Sequence, residues 1–350
     1  MEGIVIPVFY CPFPSQLNPL VETVNTHTLN WVQQFHLVEK EAALRRFHAS
    51  RFAWLTARAY PTATFEELAL ANDFLVWLFM LDDQFDDGAI GRQPDRTQLI
   101  MSTLIALVTL DEASQSVSSP SLRGAVAASL VDLWQRMLPH TTPAWRERFL
   151  RHLHDYFASY DWETQNRTQG RIPGVETYIE KRQDTGAMLL ALDFIDLTEQ
   201  VSMEPEVYAS TEVQTLIRTT NNAVCWSNDI ISLEKERTRG DVNNLVLAVQ
   251  HARQCSLQAA VDHVNAMITE QVQLFIETEQ RLLALFPANR RDMQKYIAVM
   301  RAWIRGNLDW SAETHRYSHV EPNTEGKGVS YLESILSVQP DQSHAKDAST

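Results

Sequence analysis

The 350-residue chain is 45% hydrophobic, enough apolar content for a sizeable core, while 30 Lys and Arg against 44 Asp and Glu leave a formal charge of -14. Such a balance repels a phosphate backbone unless basic residues cluster, and no cluster is present, so a nucleic-acid partner is not expected. Cys11, Cys225 and Cys255 are odd in number, far apart and without CxxC spacing, which argues against a disulfide framework and against a zinc site.

No apolar run reaches the roughly 18 residues of a membrane span, and the opening "MEGIVIPVFYCPFP" lacks the basic and long apolar parts of a secretion signal. No membrane span is expected, and the default compartment is the cytoplasm. From about residue 20 to 316, apolar residues recur at three- and four-residue spacing, with only 11 glycines and few alternating β-branched runs. The fold class is therefore all-α.

In chain order, the first strong element opens at Thr64, which forms a Thr-x-x-Glu capping box with Glu67. Gly88 suits the position just past a helix end, so the spacing predicts a helix from about 65 to 87. Breaks follow at "RQPDR" (92–96), "SQSVSSPS" (114–121), "PHTTP" (139–143) and "TQGRIPG" (168–174). A second long helix is expected from near Thr211 to Gly240, and "EPNTEGKG" (321–328) closes the last one. The pattern amounts to ten or eleven helices. No break is long enough for a linker and no repeat recurs, so residues 1–336 are expected to form one domain, with a disordered tail at 337–350.

The first of these helices carries an anomaly. "FMLDDQFDD" places Asp82, Asp83, Asp86 and Asp87 in the last turns, where the macrodipole is negative and each anion costs about 0.3–1 kcal/mol. Asp82 and Asp86 are also i,i+4 neighbours, as are Asp83 and Asp87, which adds repulsion. A solvated acidic helix end would be the ordinary explanation, but the preceding "FLVWLFML" is apolar all round and reads as buried. A buried helix opening into carboxylates suits a hard cation such as Mg²⁺.

The second helix carries a matching stripe. In "NNAVCWSNDIISLEKERTRGD", Asn228, Ser232 and Glu236 fall at i, i+4 and i+8, giving an amide oxygen, a hydroxyl and a carboxylate on one face. Lys235 lies beside that stripe, within reach of an anion. Metals held between two such helices need a balancing anion, and a diphosphate is the usual one. Arg182 in "YIEKRQDTG" and Arg316 in "WIRGNLDWSAETHRY" are candidate partners for it, with Tyr317 as a phenol donor.

Together these elements resemble the bacterial-type class I terpene synthases, from "FYCPFPSQLNP" (9–19) through "DDQFDD", "RQDTG" and "NDIISLEKE" to "GNLDWSAETHRY" (306–317). The aspartate-rich element is shared with prenyl-chain elongating synthases, whereas Asn228 to Glu236 is the more specific part. The resemblance implies a single-domain helical barrel around a central active-site cavity. In it, Asp82 binds Mg²⁺ directly, Asp83 and Asp86 support it, and Asn228, Ser232 and Glu236 hold another ion, with three Mg²⁺ per site. It further implies that Arg182 senses the diphosphate, that Gly186 is the glycine whose carbonyl faces the substrate, and that Lys235, Arg316 and Tyr317 bind diphosphate. Thr185 would be the variable link between Arg182 and Gly186, the segment 318–328 a lid, and Asp87 has no fixed role.

The activity implied is ionisation of a linear prenyl diphosphate, farnesyl diphosphate above all, to a carbocation that cyclises to a sesquiterpene hydrocarbon or alcohol, such as a germacrene or selinene skeleton. Phe79, one turn before Asp82, and Trp310, six residues before Arg316, are then placed to face the cation, while Trp303, Trp77 and Phe74 read as core. Alternatives are a diterpene synthase using geranylgeranyl diphosphate, an elongating synthase, and a non-catalytic helical protein whose acidic patches bind basic partners. A class II cyclase would need an Asp-x-Asp-Asp acid and a di-iron bundle Glu-x-x-His pairs, and neither is found. Members of the family often form homodimers, although no heptad stripe marks an interface here.

Overall fold

A computed structural model describes residues 4–86, 90–109, 124–285 and 290–317. Among them are fourteen α-helices, two 3₁₀ turns and no strand. The helices are α1 (Val21–Gln34), α2 (Glu41–Ser50), α3 (Phe52–Ala59), α4 (Phe65–Asp86), α5 (Pro94–Thr109), α6 (Ala125–Met137) and α7 (Pro143–Gln169). They continue as α8 (Val175–Thr185), α9 (Met188–Thr198), α10 (Pro205–Tyr208), α11 (Thr211–Arg239), α12 (Leu245–Arg253), α13 (Leu257–Leu285) and α14 (Arg290–Glu313). No helix among the described residues is long and apolar enough to cross a membrane.

The expected count of ten or eleven helices is too low, and the reason is local. Helices end at Arg51 (φ 50) and Gln254 (φ 48), and α9 starts after Ala187 (φ 55), all non-glycine residues in the left-handed region that carry no turn signature in the sequence. Asp87, Gly88, the break at 114–121, the lid at 318–328 and the tail at 337–350 lie outside the described residues.

Where the signals were strong, the elements follow them. Glu67 Oε2 accepts the Thr64 backbone N–H at 2.8 Å, the half of the capping box that reaches back over the start of α4. That helix is buried on every side from Leu68 to Leu78, as its all-apolar sequence requires. At the start of α11, Ser210 Oγ accepts from the Val213 N–H, and at its end Gly240 (φ 72) lets Asp241 N–H return to the Glu236 carbonyl at 3.0 Å.

The buried apolar side chains form one continuous cluster. Within it, contacts run α4 to α9, α9 to α11, α11 to α14, α14 to α3 and α3 back to α4, a closed ring of helices. α7 and α8 complete the wall, α7 against α9 and α8 against α11. The ring surrounds a cavity, and the C-terminal ends of α4, α7, α11 and α14 all lie at its mouth, since Asp86, Arg167, Arg239 and Trp310 are among its lining residues.

Candidate active site

Asp82 and Asp86 sit in the last turns of α4 and line the cavity. Burial raises the Asp82 carboxyl well above the usual range, the charge of Asp86 raises it further, and Arg316 opposes only in part. Its hydrogen-bond donor is the Tyr160 hydroxyl at 3.4 Å, which in turn meets the Tyr156 hydroxyl at 2.5 Å. Burial also raises Asp86, against the pull of Arg167, whose guanidinium it contacts directly.

Asp83, one residue on, has different surroundings. Arg316 grips it with two hydrogen bonds of 3.1 and 2.9 Å, and Arg46 stands 3.5 Å away. Burial would raise this carboxyl, but Arg316, Lys235 and Arg46 outweigh it and hold the group well below the usual carboxylate range.

On the facing helix α11, the Ser232 oxygen lies 2.6 Å from Glu236 Oε1 and 2.7 Å from the Asn228 carbonyl, so one proton serves two acceptors. Asn244 donates to Glu236 Oε2 at 2.8 Å. The Glu236 carboxyl is nevertheless pushed up to about 8, first by burial and then by Asp229 and Asp241. Asn228 Nδ2 donates to the Tyr317 hydroxyl at 2.8 Å, and its Oδ1 accepts from Arg182 at 3.4 Å. The sequence stripe is thus a physical stripe along the cavity wall.

Arg182, at the end of α8, is fixed by a 2.8 Å bond to Asp229, which Tyr178 braces from the other side at 2.8 Å. Arg182 also donates to Thr185 at 3.3 Å. Lys235 is buried beside Asp83, and burial and the nearby Arg316 lower its ammonium while Asp83 opposes them. Gly186 ends α8, and a Cβ there would stand 2.3 Å from Cys225 Sγ, so only glycine lets α8 and α11 approach this closely.

Phe79 lies under the Arg316 guanidinium at 4.8 Å and stacks on Phe52 with centroids 4.8 Å apart. Trp310 packs edge-on to Tyr317 at 5.9 Å, its indole N–H bonded to the Ser50 and Arg51 carbonyls at 2.9 and 3.0 Å. Both line the cavity, and so does Trp303, which also belongs to the buried core, as the sequence suggested. Trp77 and Phe74 are core residues, packed among Phe149, Phe157 and Phe194.

Sequence reasoning missed Arg167, Glu163 and Asp241. Arg167 bridges Asp86 and Asp241, the latter at 2.9 Å, with Glu163 at 3.5 Å. Glu163 is pushed up to about 7 by burial, which Arg167 counteracts. Nothing marked these residues beforehand, because a lone charge near a helix end resembles any surface residue. Every sequence-predicted site residue among the described ones lines the cavity except Asp83, which reaches it through Arg316.

The site suits a hard divalent cation. All its donors are oxygens, Asp82 and Asp86 on one wall and Asn228, Ser232 and Glu236 on another, and burial followed by acidic neighbours raises the Asp82 and Glu236 carboxyls, which a cation would reverse. Among the described residues, no group of three or more His, Cys, Asp or Glu side chains is arranged to hold an ion alone. The remaining coordination positions must then be filled by amide, hydroxyl, water or ligand oxygens.

The helical ring thus encloses one cavity lined by acidic, basic and aromatic side chains. Residues 73–273 match the family described as terpene synthase family 2, C-terminal metal binding. The chain is 33% identical over 321 residues to the germacrene A synthase of Nostoc punctiforme, covering 92% of this chain and 98% of that one. It is 33% identical over 314 residues to the (+)-T-muurolol synthase of Roseiflexus castenholzii, a (2E,6E)-farnesyl diphosphate cyclising enzyme, covering 90% and 94%. A cucumene synthase variant superposes with a TM-score of 0.79 at 27% identity, over 88% of this chain and all of that one. Hedycaryol synthase in complex with nerolidol gives 0.75 at 22% over 88% and 100%, a likeness of fold. The chain belongs to the terpene synthase family, and the matched segment is the family's metal-binding region, so it works with a divalent metal.

Proposed function

We propose that the protein is a sesquiterpene cyclase that ionises farnesyl diphosphate with three Mg²⁺ and releases a cyclic hydrocarbon or alcohol. One observation carries the reading: a single cavity is lined both by Asp82, Asp86, Asn228, Ser232, Glu236, Arg182, Lys235, Arg316 and Tyr317 and by Phe79, Trp303, Trp310, Leu55, Leu75 and Leu78. The farnesyl chain length is supported by the muurolol synthase relative, whose name specifies that substrate. When bound, Mg²⁺ supplies Lewis-acid pull on the leaving diphosphate.

Asp82, with Asp86 in support, and Asn228, Ser232 and Glu236 would hold the ions. Arg182, Lys235, Arg316 and Tyr317 would donate to the diphosphate oxygens, Arg182 aimed by Asp229 and Arg316 by Asp83. The allylic C–O bond breaks with both electrons going to the diphosphate, and the cation stays in the cavity. There Phe79, Trp303 and Trp310 keep water away and present ring faces, each worth up to about 2 kcal/mol to a desolvated cation. No side-chain nucleophile is needed.

The test is incubation with geranyl, farnesyl and geranylgeranyl diphosphates plus Mg²⁺, followed by gas chromatography and mass spectrometry. Cyclic fifteen-carbon products from farnesyl diphosphate are expected, and chelation of the metal should abolish them. Products from geranylgeranyl diphosphate alone would make the protein a diterpene synthase instead.

A further inference from the structure

Asn307 lies on α14 with Trp303 one turn before it and Trp310 one turn after, and all three line the cavity. It is 4% exposed. Its amide nitrogen donates to Ser227 Oγ at 3.1 Å. Ser227 commits its single proton to the Val224 carbonyl at 2.9 Å, so toward Asn307 it can only accept. That settles which way the amide points: nitrogen to Ser227, oxygen away from it.

Among the described residues no hydrogen bond reaches the Asn307 oxygen, and the residue lines the cavity. Other polar groups of the inner wall are engaged, apart from the buried indole N–H of Trp303, a donor with no partner among the described residues. The Tyr156 hydroxyl meets Tyr160, Thr185 accepts from Arg182, and the Cys225 thiol donates to Asn221 at 3.1 Å.

We propose that Asn307 is a specificity-determining residue: its amide oxygen, oriented by Ser227, presents the negative end of a fixed dipole to one region of the folded prenyl chain. It thereby sets which carbon carries the positive charge when the reaction ends. The inference rests on the cyclase reading of the cavity. Indole faces attract a cation over a broad area, whereas one amide oxygen between two of them marks a point, and a dry cavity magnifies the difference. The amide takes no proton and forms no bond, so its effect is confined to the relative stability of competing cations.

The experiment compares the wild type, Asn307→Leu and Ser227→Ala with farnesyl diphosphate and Mg²⁺, recording product ratios, diphosphate release and melting temperature. Leucine keeps the bulk and removes the dipole. Asn307→Leu should shift the ratio of the main product to the others by about tenfold, the change that about 1.4 kcal/mol between two channels produces. Ser227→Ala keeps the amide but frees it to turn, so it should shift the same ratio in the same direction by less. A wild-type ratio in Asn307→Leu overturns the proposal, because a merely structural asparagine would alter rate and melting while leaving the ratio alone. Should that variant not fold, an unchanged ratio in Ser227→Ala overturns it. A wild type that makes no terpene from any of the three prenyl diphosphates removes the cyclase reading itself, a separate failure.

Discussion

Adjacent on α4, Asp82 and Asp83 meet opposite surroundings. Asp83 is gripped by Arg316, whereas Asp82 is buried among Asp86, Glu163 and Asp83 and is raised as a result. A buried anion among anions weakens the metal-free fold, and the compensation arrives with the metal. Asp82→Asn should therefore lower turnover by about a hundredfold or more, the size of a lost group acting on the transition state. The metal-free variant should melt at or above the wild-type temperature, and a lower melting point by calorimetry would count against the electrostatic account. Phe79→Ala removes both a cavity face and the platform beneath Arg316, so rate and product mixture should change together in the same chromatographic assay. An unaltered mixture would take Phe79 out of the wall. The two oxygen-bearing stripes were legible in the sequence because helical period alone aligns Asp82 with Asp86 and Asn228 with Ser232 and Glu236. The Arg316 to Asp83 pairing spans 233 residues, and nothing local encodes it.

Elements are set by their ends. α4 and α11 were readable from Thr64, Glu67 and Gly240, but the break between α8 and α9 depends on Gly186 fitting against Cys225, a contact between distant segments. Gly186 has an ordinary backbone conformation (φ -79), so the requirement is steric. Gly186→Ala would place a Cβ 2.3 Å from Cys225 Sγ and 3.4 Å from the Arg182 carbonyl oxygen, an overpacking that costs about 1–3 kcal/mol. Turnover should fall, and adding Cys225→Gly should restore part of it, whereas an equal loss in the double variant would point to another cause. Farther from the mouth, α7, α9 and α14 are joined by Arg148, which bonds Asp193 at 2.7 Å and Asp196 at 2.5 Å, and by the Tyr296 hydroxyl on Asp196. Burial pushes the Asp196 carboxyl up to about 6, against the pull of Arg148. With a folded value above the unfolded 3.8, the native state holds the proton more tightly, so this group's contribution to stability falls as pH rises from about 4 to 6 and is level above. The melting difference between wild type and Asp196→Asn should change across that window and stay constant from about pH 7 upward, as thermal melts at fixed ionic strength would show.

At the scale of the whole molecule, the placement of the mouth follows from helix direction. The C-terminal ends of α4, α7, α11 and α14 converge there, and each brings the negative end of a macrodipole to a place that also holds Asp82, Asp86, Glu163, Glu236 and Asp241. Composition hinted at this only as a net charge of -14, because the ring that gathers the helix ends is made by long-range packing of α4, α9, α11, α14 and α3. A diphosphate approaching such a mouth without metal meets four negative helix ends and five carboxylates, against which Arg167, Arg182, Lys235 and Arg316 are already committed or partly neutralised. Divalent ions held by Asp82, Asp86, Asn228, Ser232 and Glu236 would reverse the local sign while Asp229 and Asp83 keep Arg182 and Arg316 aimed, which predicts that metal precedes diphosphate. Inorganic diphosphate should accordingly bind measurably by titration calorimetry only when Mg²⁺ is present, with affinity at least about a hundredfold weaker in chelator, a gap of about 2.7 kcal/mol. Glu236→Gln should narrow that gap by weakening binding with metal, with little change in chelator near pH 7, where a carboxyl pushed up to about 8 already holds its proton. Equal affinity with and without Mg²⁺ would mean that the arginines alone command the mouth, and that the convergence of helix ends has no part in selecting the metal first.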